Sequence, residues 1–424
     1  LYWPIHDYWY GDGPLVRQMT VHDPSWLTGQ PVGRTAASLW RLGIGFDYVS
    51  DRLLARVSVS AGKIVTSEGA AYEAVVVPPA RVMPPETLER LAQLAEAGAN
   101  VIFCDRVTED APGWGGLAAR RARLAAARGR FAWRGAGAGG VEKAAVGAGA
   151  AYAGRGDEAL RLCGVRRELE GAPEGVRFIR RRHAEGYSYL IVNHGVRALD
   201  GWLRLAAPAA GVGVMDAMSG AAGAAEWRAA GGGTEVRVRL EAAGSLLLKT
   251  FDAAAVGGAR FRFARPGEAL MEVPGPWRVS FSEGGPVPPK PFEAASLGSW
   301  TATGDPEAVR FGGTAIYRTA FVAPAACEGR PLVLDLGRVE VSARVRLNGQ
   351  FAGCAIMTPY RILLPQGLKA GRNALEVEVT NLGANRIRDL DVRGVQWRIF
   401  EDINFVDIGY KGFDAKGWPV RESG

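Results

Sequence analysis

Histidine and cysteine are the scarce residues of this 424-residue chain, four of each, and their scarcity excludes much. Cys104, Cys163, Cys327 and Cys354 stand far apart and fit no metal-ligand spacing, so buried free thiols are the expectation. Only His6, His22, His183 and His194 could serve as the base of a nucleophile pair. No apolar run approaches the length of a membrane span, so no membrane partner is expected. An initiator Met is also absent. The chain opens on "LYWPIHDYWY", inside a strand-like pattern with no lead-in, which predicts a piece of a longer polypeptide, and no signal segment is visible.

What is present is a globular composition, 48% hydrophobic and 22% charged, with 57 Gly, 24 Pro and 12 Trp. The length implies two to four domains. The glycines and prolines imply many turns and a β-rich character, and the tryptophans point toward carbohydrate. A net charge of +7 comes mostly from scattered Arg. The one dense cluster, "RRARLAAARGR" at 120–130, lies in an Ala-rich helical pattern without interleaved aromatics. It reads as a solvated helix face, so no nucleic-acid partner is expected.

The first stretch alternates strand and helix. "LYWPI" reads as a short strand, with His6 to Tyr10 as the loop at its carboxyl end, and "FDYVS" and "AVVVP" follow as strands. Residues 86–97 place Leu88, Leu91 and Leu94 on one helical face, Gly98 marks the stop, and "NVIFC" is the next strand. Strand, helix, strand in this order implies a right-handed crossover and a small parallel sheet. Residues 108–160 become Ala/Gly/Arg-rich and read as weak helices and a long loop. From 163 to 255 the period changes to two, which predicts an antiparallel sandwich, with "MDAMSG" as a turn formed by Asp216 and Ser219. From "PWRVSF" onward, strands at short spacing predict a second sandwich, with Asn348-Gly349 as a type I′ hairpin turn. The domain division expected is 1–160, 161–255 and 270–424.

Candidate chemistry is thin. Cys104 follows a strand, where an amidotransferase would place its nucleophile, but "VIFCDRV" is too bulky for a sharp elbow. "GAGAGG" at 135–140 resembles a phosphate loop only in composition, because it neither follows a strand nor opens a convincing helix. Glycosidic cleavage needs paired carboxylates. Asp7, Asp12, Asp47, Asp51 and Asp105 lie near strand ends, yet no Glu pair sits at matching positions. Ligands of open α/β sheets bind at the carboxyl ends of strands, which makes His6, Asp7 and Trp9 candidate substrate contacts or, equally, caps of the sheet. Near the other end, Trp300, Asn381, Asn385 and Trp397 offer indoles beside amides. That pattern suits either a sugar face or a core Trp with loop-satisfying Asn residues.

The order of these parts resembles the C-terminal half of bacterial α-L-rhamnosidases of glycoside hydrolase family 106. The residues that carry the likeness are "YWPIHDYW", "YEAVVVPPARVMPPETLERLAQLAEAGANVIF", "YSYLIVNHG", "RVRLNGQFAG" and "AGRNALEVEVTN", with "GWPVRESG" similar to the approach to the family's ending. The resemblance implies a multidomain α/β plus all-β chain: an amidotransferase-like parallel domain, an antiparallel β-sandwich and a galactose-binding-like jelly-roll β-sandwich. It also implies that the catalytic barrel, its acid and base carboxylates and a calcium site lie upstream of Leu1. On that reading no catalytic residue and no metal ligand is carried by this chain, which would be inactive alone. Its expected partners are rhamnose-containing glycans and its own barrel, in a periplasmic or secreted setting. Two rival readings stand beside this one. The first is a non-catalytic carbohydrate-binding protein with an aromatic platform of Trp300, Tyr360 or Trp397. The second is the accessory half of another barrel glycosidase such as a β-galactosidase.

Overall fold

The computed structural model describes residues 1–11, 19–21, 23–135, 137–264 and 267–397. The strands Ala74–Val77 and Asn100–Phe103 bury Val75, Val76, Val77, Val101, Ile102 and Phe103, as a strand covered on both faces must. They pair in parallel, Val75 opposite Val101, and the helix Pro85–Glu96 makes the crossover. Leu88, Leu91 and Leu94 of that helix are buried as their spacing predicts, and Gly98 turns the chain at φ 115°. The helices Pro85–Glu96 and Leu117–Arg128 cover one face of the sheet through Leu91 and Leu124. Pro31–Arg41 and Gly156–Leu162 cover the other through Leu39 and Leu160.

Two expectations for this region need correction. Only Leu1–Trp3 of "LYWPI" behaves as a strand. Tyr2 bridges Val49 in parallel, and its N–H donates to the Val76 carbonyl at 2.8 Å, so these residues lie between Val49 and Ala74–Val77. Pro4 has no N–H for a ladder, and a helix, Ile5–Tyr10, follows where a loop was expected. The Ala/Gly-rich 108–160 is also far more regular than its composition predicts. It holds the helix Leu117–Arg128 and the hairpin Glu142–Val146 with Gly149–Ala153, the latter pairing in parallel with Asn100–Phe103. Close packing is the reason. A Cβ on Gly149 would stand 2.4 Å from the carbonyl oxygens of Ala95 and Ala99, so small residues are what let this strand lie against the helix end. "GAGAGG", apart from Ala136, enters this hairpin through a short turn at Ala138–Gly140 and opens no helix that could hold a phosphate.

Residues 176–251 form two antiparallel sheets, one of five strands and one of three. Tyr189, Ile191, Leu203, Val214, Val236 and Leu248 fill the space between them, in accord with the period of two. Asp216 accepts from the Met218 amide at 2.9 Å and the Ser219 hydroxyl at 2.6 Å, closing the expected turn. Two hydrogen bonds tie this region to the first. Glu168 N donates to the Gly43 carbonyl at 2.7 Å, and Trp40 Nε1 donates to the Phe178 carbonyl at 3.3 Å.

From Trp277 to Thr380 a six-stranded antiparallel sheet faces a sheet of only two strands, Leu332–Asp335 and Arg361–Leu364. Asn348 and Gly349 both have positive φ, 53° and 80°, which is the type I′ turn their sequence calls for. Asn348 also pins the turn, its Oδ1 accepting from Ala374 N at 2.9 Å.

Candidate functional site: the carboxyl edge of the parallel sheet

Four segments converge where the parallel strands end: the helix Ile5–Tyr10 after Trp3, the turn at Ser50–Asp51 after Val49, Arg81–Val82 after Ala74–Val77, and the loop after Asn100–Phe103. The crossover topology places them there, since each strand is left at the same edge of the sheet. Asp7 is buried, and its Oδ1 accepts from Arg81 N at 2.7 Å and Val82 N at 3.1 Å, with Arg81 Nε at 3.5 Å. Asp51 accepts from the hydroxyls of Tyr2, at 2.9 Å, and Thr87, and stands 3.6 Å from His6 Nε2. Tyr2 is fully buried, and burial together with the Asp51 charge pushes its phenol well above the usual range, so it stays a donor. His6 in turn lies edge-on to Trp9, ring centroids 5.8 Å apart.

Outside this polar layer the surface is aromatic and cationic. Trp9 is 56% exposed, Tyr10 is exposed, and Trp114, on the loop after Asn100–Phe103, is 86% exposed. Arg121 is fixed by two 2.6 Å bonds to Asp110, and those bonds raise its pKa, with a smaller contribution from nearby Tyr10. Asp110 is itself bridged to Val82. Exposed indoles beside fixed guanidinium and imidazole donors are what a sugar face recognises: C–H groups on a ring, hydroxyls on the donors.

The other sequence candidates are placed differently. Asp47 is at the opposite, amino edge, accepting from the Tyr72 hydroxyl at 2.6 Å beside a recess of about 290 Å³. Asp105 is exposed next to Arg106, and Asp12 and His22 lie outside the described residues. Burial pushes the Cys104 thiol up to about 12, which suits a packed thiol and not a nucleophile. Among the described residues no group of three or more His, Cys, Asp or Glu is arranged to hold a metal ion, and no helix is long and apolar enough to cross a membrane.

In the last sandwich the sugar-platform expectation meets buried side chains. Trp300 is fully buried, packed edge-on against Phe281 and Phe311 at 5.7 and 6.3 Å, and offers no face. Tyr360 is buried and donates to the Val341 carbonyl at 3.0 Å. Asn381 accepts from Gly313 N at 2.7 Å and donates to the Phe311 carbonyl at 3.0 Å, so its amide serves the backbone. Asn385 is buried in the helix Ala384–Val392, and Trp397 is half-buried and donates to Asp391 at 3.1 Å. These five residues form no exposed aromatic platform. Sequence reading missed Tyr2, Thr87, Arg81, Tyr10, Trp114 and Arg121. Of these only Tyr10 carried a local signal, its place in the same strand-end stretch as His6.

Comparison with known proteins fits this architecture. Residues 34–200 match the family model of α-L-rhamnosidase. The structure of a rhamnosidase from Novosphingobium sp. PP1Y superposes with a TM-score of 0.70 at 26% identity over 90% of this chain and 36% of that one. A "Putative beta-glucuronidase" of Formosa agariphila is 40% identical over 93 residues, 22% of this chain and 8% of that protein. The chain thus spans about a third of the length of the rhamnosidase and a small part of the second relative. The chain is therefore similar to the α-L-rhamnosidases of glycoside hydrolase family 106 in sequence over residues 34–200, and to a rhamnosidase in fold over 90% of its length.

Proposed function

We propose that these residues are the accessory portion of an α-L-rhamnosidase-like glycoside hydrolase, and that the carboxyl edge of the parallel sheet contacts the glycan. The observation that carries this is the superposition itself: nine-tenths of the chain aligns with a rhamnosidase while spanning 36% of it. The carboxylates at that edge support it too. Asp7 and Asp51 are held by backbone amides and by Tyr2 and Thr87, which suits bracing better than a free acid–base pair. Cleavage chemistry, and any calcium the family uses, would then belong to a barrel outside these residues. The natural ligands would be rhamnose-containing glycans met in the periplasm or outside the cell.

In this reading an amidotransferase-like α/β unit spans 1–160, a spacer sandwich 161–255 and a galactose-binding-like jelly roll 270–424. Separate apolar cores around Leu91, Leu248 and Val345 support the division. The rival reading, sugar binding by the last unit alone, loses support because Trp300 and Tyr360 are buried.

Calorimetric titration of the chain with rhamnose-containing oligosaccharides tests the glycan contact. Saturable heat that falls at least fivefold in Trp9→Ala and Trp114→Ala is expected. Binding unaffected by either change, or none at all, removes this edge from the proposal.

A further inference from the structure

The arginines at 120–130 are not all alike. Arg121 pairs with Asp110 at 2.6 Å, Arg123 with Glu86 at 2.7 Å, Arg128 with Glu109 at 3.2 Å and Arg130 with Glu96 at 2.5 Å. Arg120 has no ion pair among the described residues. Its Nη2 donates instead to the Gly113 carbonyl at 2.5 Å. Glu86 attracts it weakly from beyond pairing distance and is already held by Arg123. Arg120 Nε is buried, which leaves the terminal nitrogens as the donors a ligand could reach.

The place of this cation is the second observation. Gly113 directly precedes Trp114, so the bond to its carbonyl fixes Arg120 against the loop that presents an indole 86% exposed. Arg81 belongs to the same edge, with a side chain 60% exposed and Nε 3.5 Å from Asp7. Val82 beside it bridges Asp110, which holds Arg121. The carboxylates of the edge are committed. Asp7 lies buried under two backbone N–H groups, Asp51 accepts from Tyr2 and Thr87 and faces His6, and Asp110 takes two nitrogens of Arg121. Asp105 is exposed but stands 3.9 Å from Arg106. Each negative charge thus answers a cation or a set of donors, and Arg120 is the cation in excess. A solvated arginine alone would signify nothing; this one is held beside an indole with both of its neighbours' carboxylates already engaged.

We propose that the glycan met at this edge carries an anionic sugar, a uronate or a sulfate ester, whose charge is taken by Arg120 while the sugar ring lies on Trp114. The inference rests on the glycan contact proposed above and names its chemical class. The test is calorimetric titration of the full chain, at low ionic strength, with three rhamnose-containing trisaccharides that differ at one residue. One carries glucuronate, the second has that carboxyl reduced to the alcohol, and in the third that alcohol is sulfated. At least one acidic form is expected to bind about fivefold more tightly than the neutral one, the effect of a charge-assisted bond at an exposed site. The tighter of the two acidic forms identifies the anion. Arg120→Gln should bring the acidic forms to the level of the neutral one and leave the neutral one unchanged. Arg120→Lys should retain most of the preference, with circular dichroism confirming that each variant is folded. Equal affinity for all three sugars overturns the inference and leaves the glycan contact standing. So does a preference that Arg120→Gln leaves intact, or a loss in that variant that is the same for all three. Binding of none of them removes both.

Discussion

Asp7 accepts two backbone N–H groups from a buried position, so removing its carboxylate strands the amides of Arg81 and Val82. Asp7→Ala is expected to cost about 1.5–3 kcal/mol, the range for a hydrogen bond to a charged group, read as a lower urea midpoint at unchanged slope. A loss below about 0.5 kcal/mol would mean that the brace is not formed in solution. Glu168 is a second buried carboxylate, bonded by Arg180 at 2.5 Å, Tyr189 at 3.3 Å and Ala206 N at 2.6 Å. Burial nevertheless outweighs these partners and raises its pKa above 4.5. The folded state therefore holds the proton more tightly, and this group's contribution to stability falls as pH rises through the folded pKa. Glu168→Gln should gain on wild type between pH 4 and pH 7 in thermal melts, and a gap that moves the other way would show that the Arg180 pairing dominates. At this scale the sequence was half legible. That His6 and Asp7 stand at a strand end follows from "LYWPI", but that Asp51 answers Tyr2, His6 and Thr87 depends on contacts between distant positions, which no local pattern reveals.

Two glycines separate two causes at the level of the element. Gly349 sits at φ 80° with open space around an added Cβ, so Gly349→Ala measures backbone strain alone and should cost about 1 kcal/mol. Gly149 has an ordinary φ but would place a Cβ 2.4 Å from two carbonyl oxygens, so Gly149→Ala must move the helix end or the strand. It is expected to destabilise more than Gly349→Ala in the same denaturant titration, and the reverse order would contradict the close approach of Gly149–Ala153 to Ala95 and Ala99. The contrast also explains what was readable. The strand Ala74–Val77 and helix Pro85–Glu96 announce themselves by β-branched runs and leucine spacing. Gly149–Ala153 looks like a loop because its identity as a strand comes from the space available beside it and not from its own residues. Buried Trp300 reflects the same limit, since an indole in a sugar site and an indole in a core have identical local signatures.

The described residues join an α/β layer to two antiparallel sandwiches, and most of the chain's length aligns with a rhamnosidase about two and a half times as long. The chain's most exposed aromatics at a ligand-type edge, Trp9 and Trp114, are accompanied by carboxylates already committed to bracing. That combination supports the proposed accessory role: the edge presents a surface, and the groups beneath it hold that surface in place. The measurement that tests this most directly is hydrolysis of an aryl α-L-rhamnoside by the purified 424-residue chain. The expected result is no turnover above the protein-free blank across pH 4 to 8. Saturable release of rhamnose that Asp7→Asn or Asp51→Asn abolishes in folded protein would contradict it.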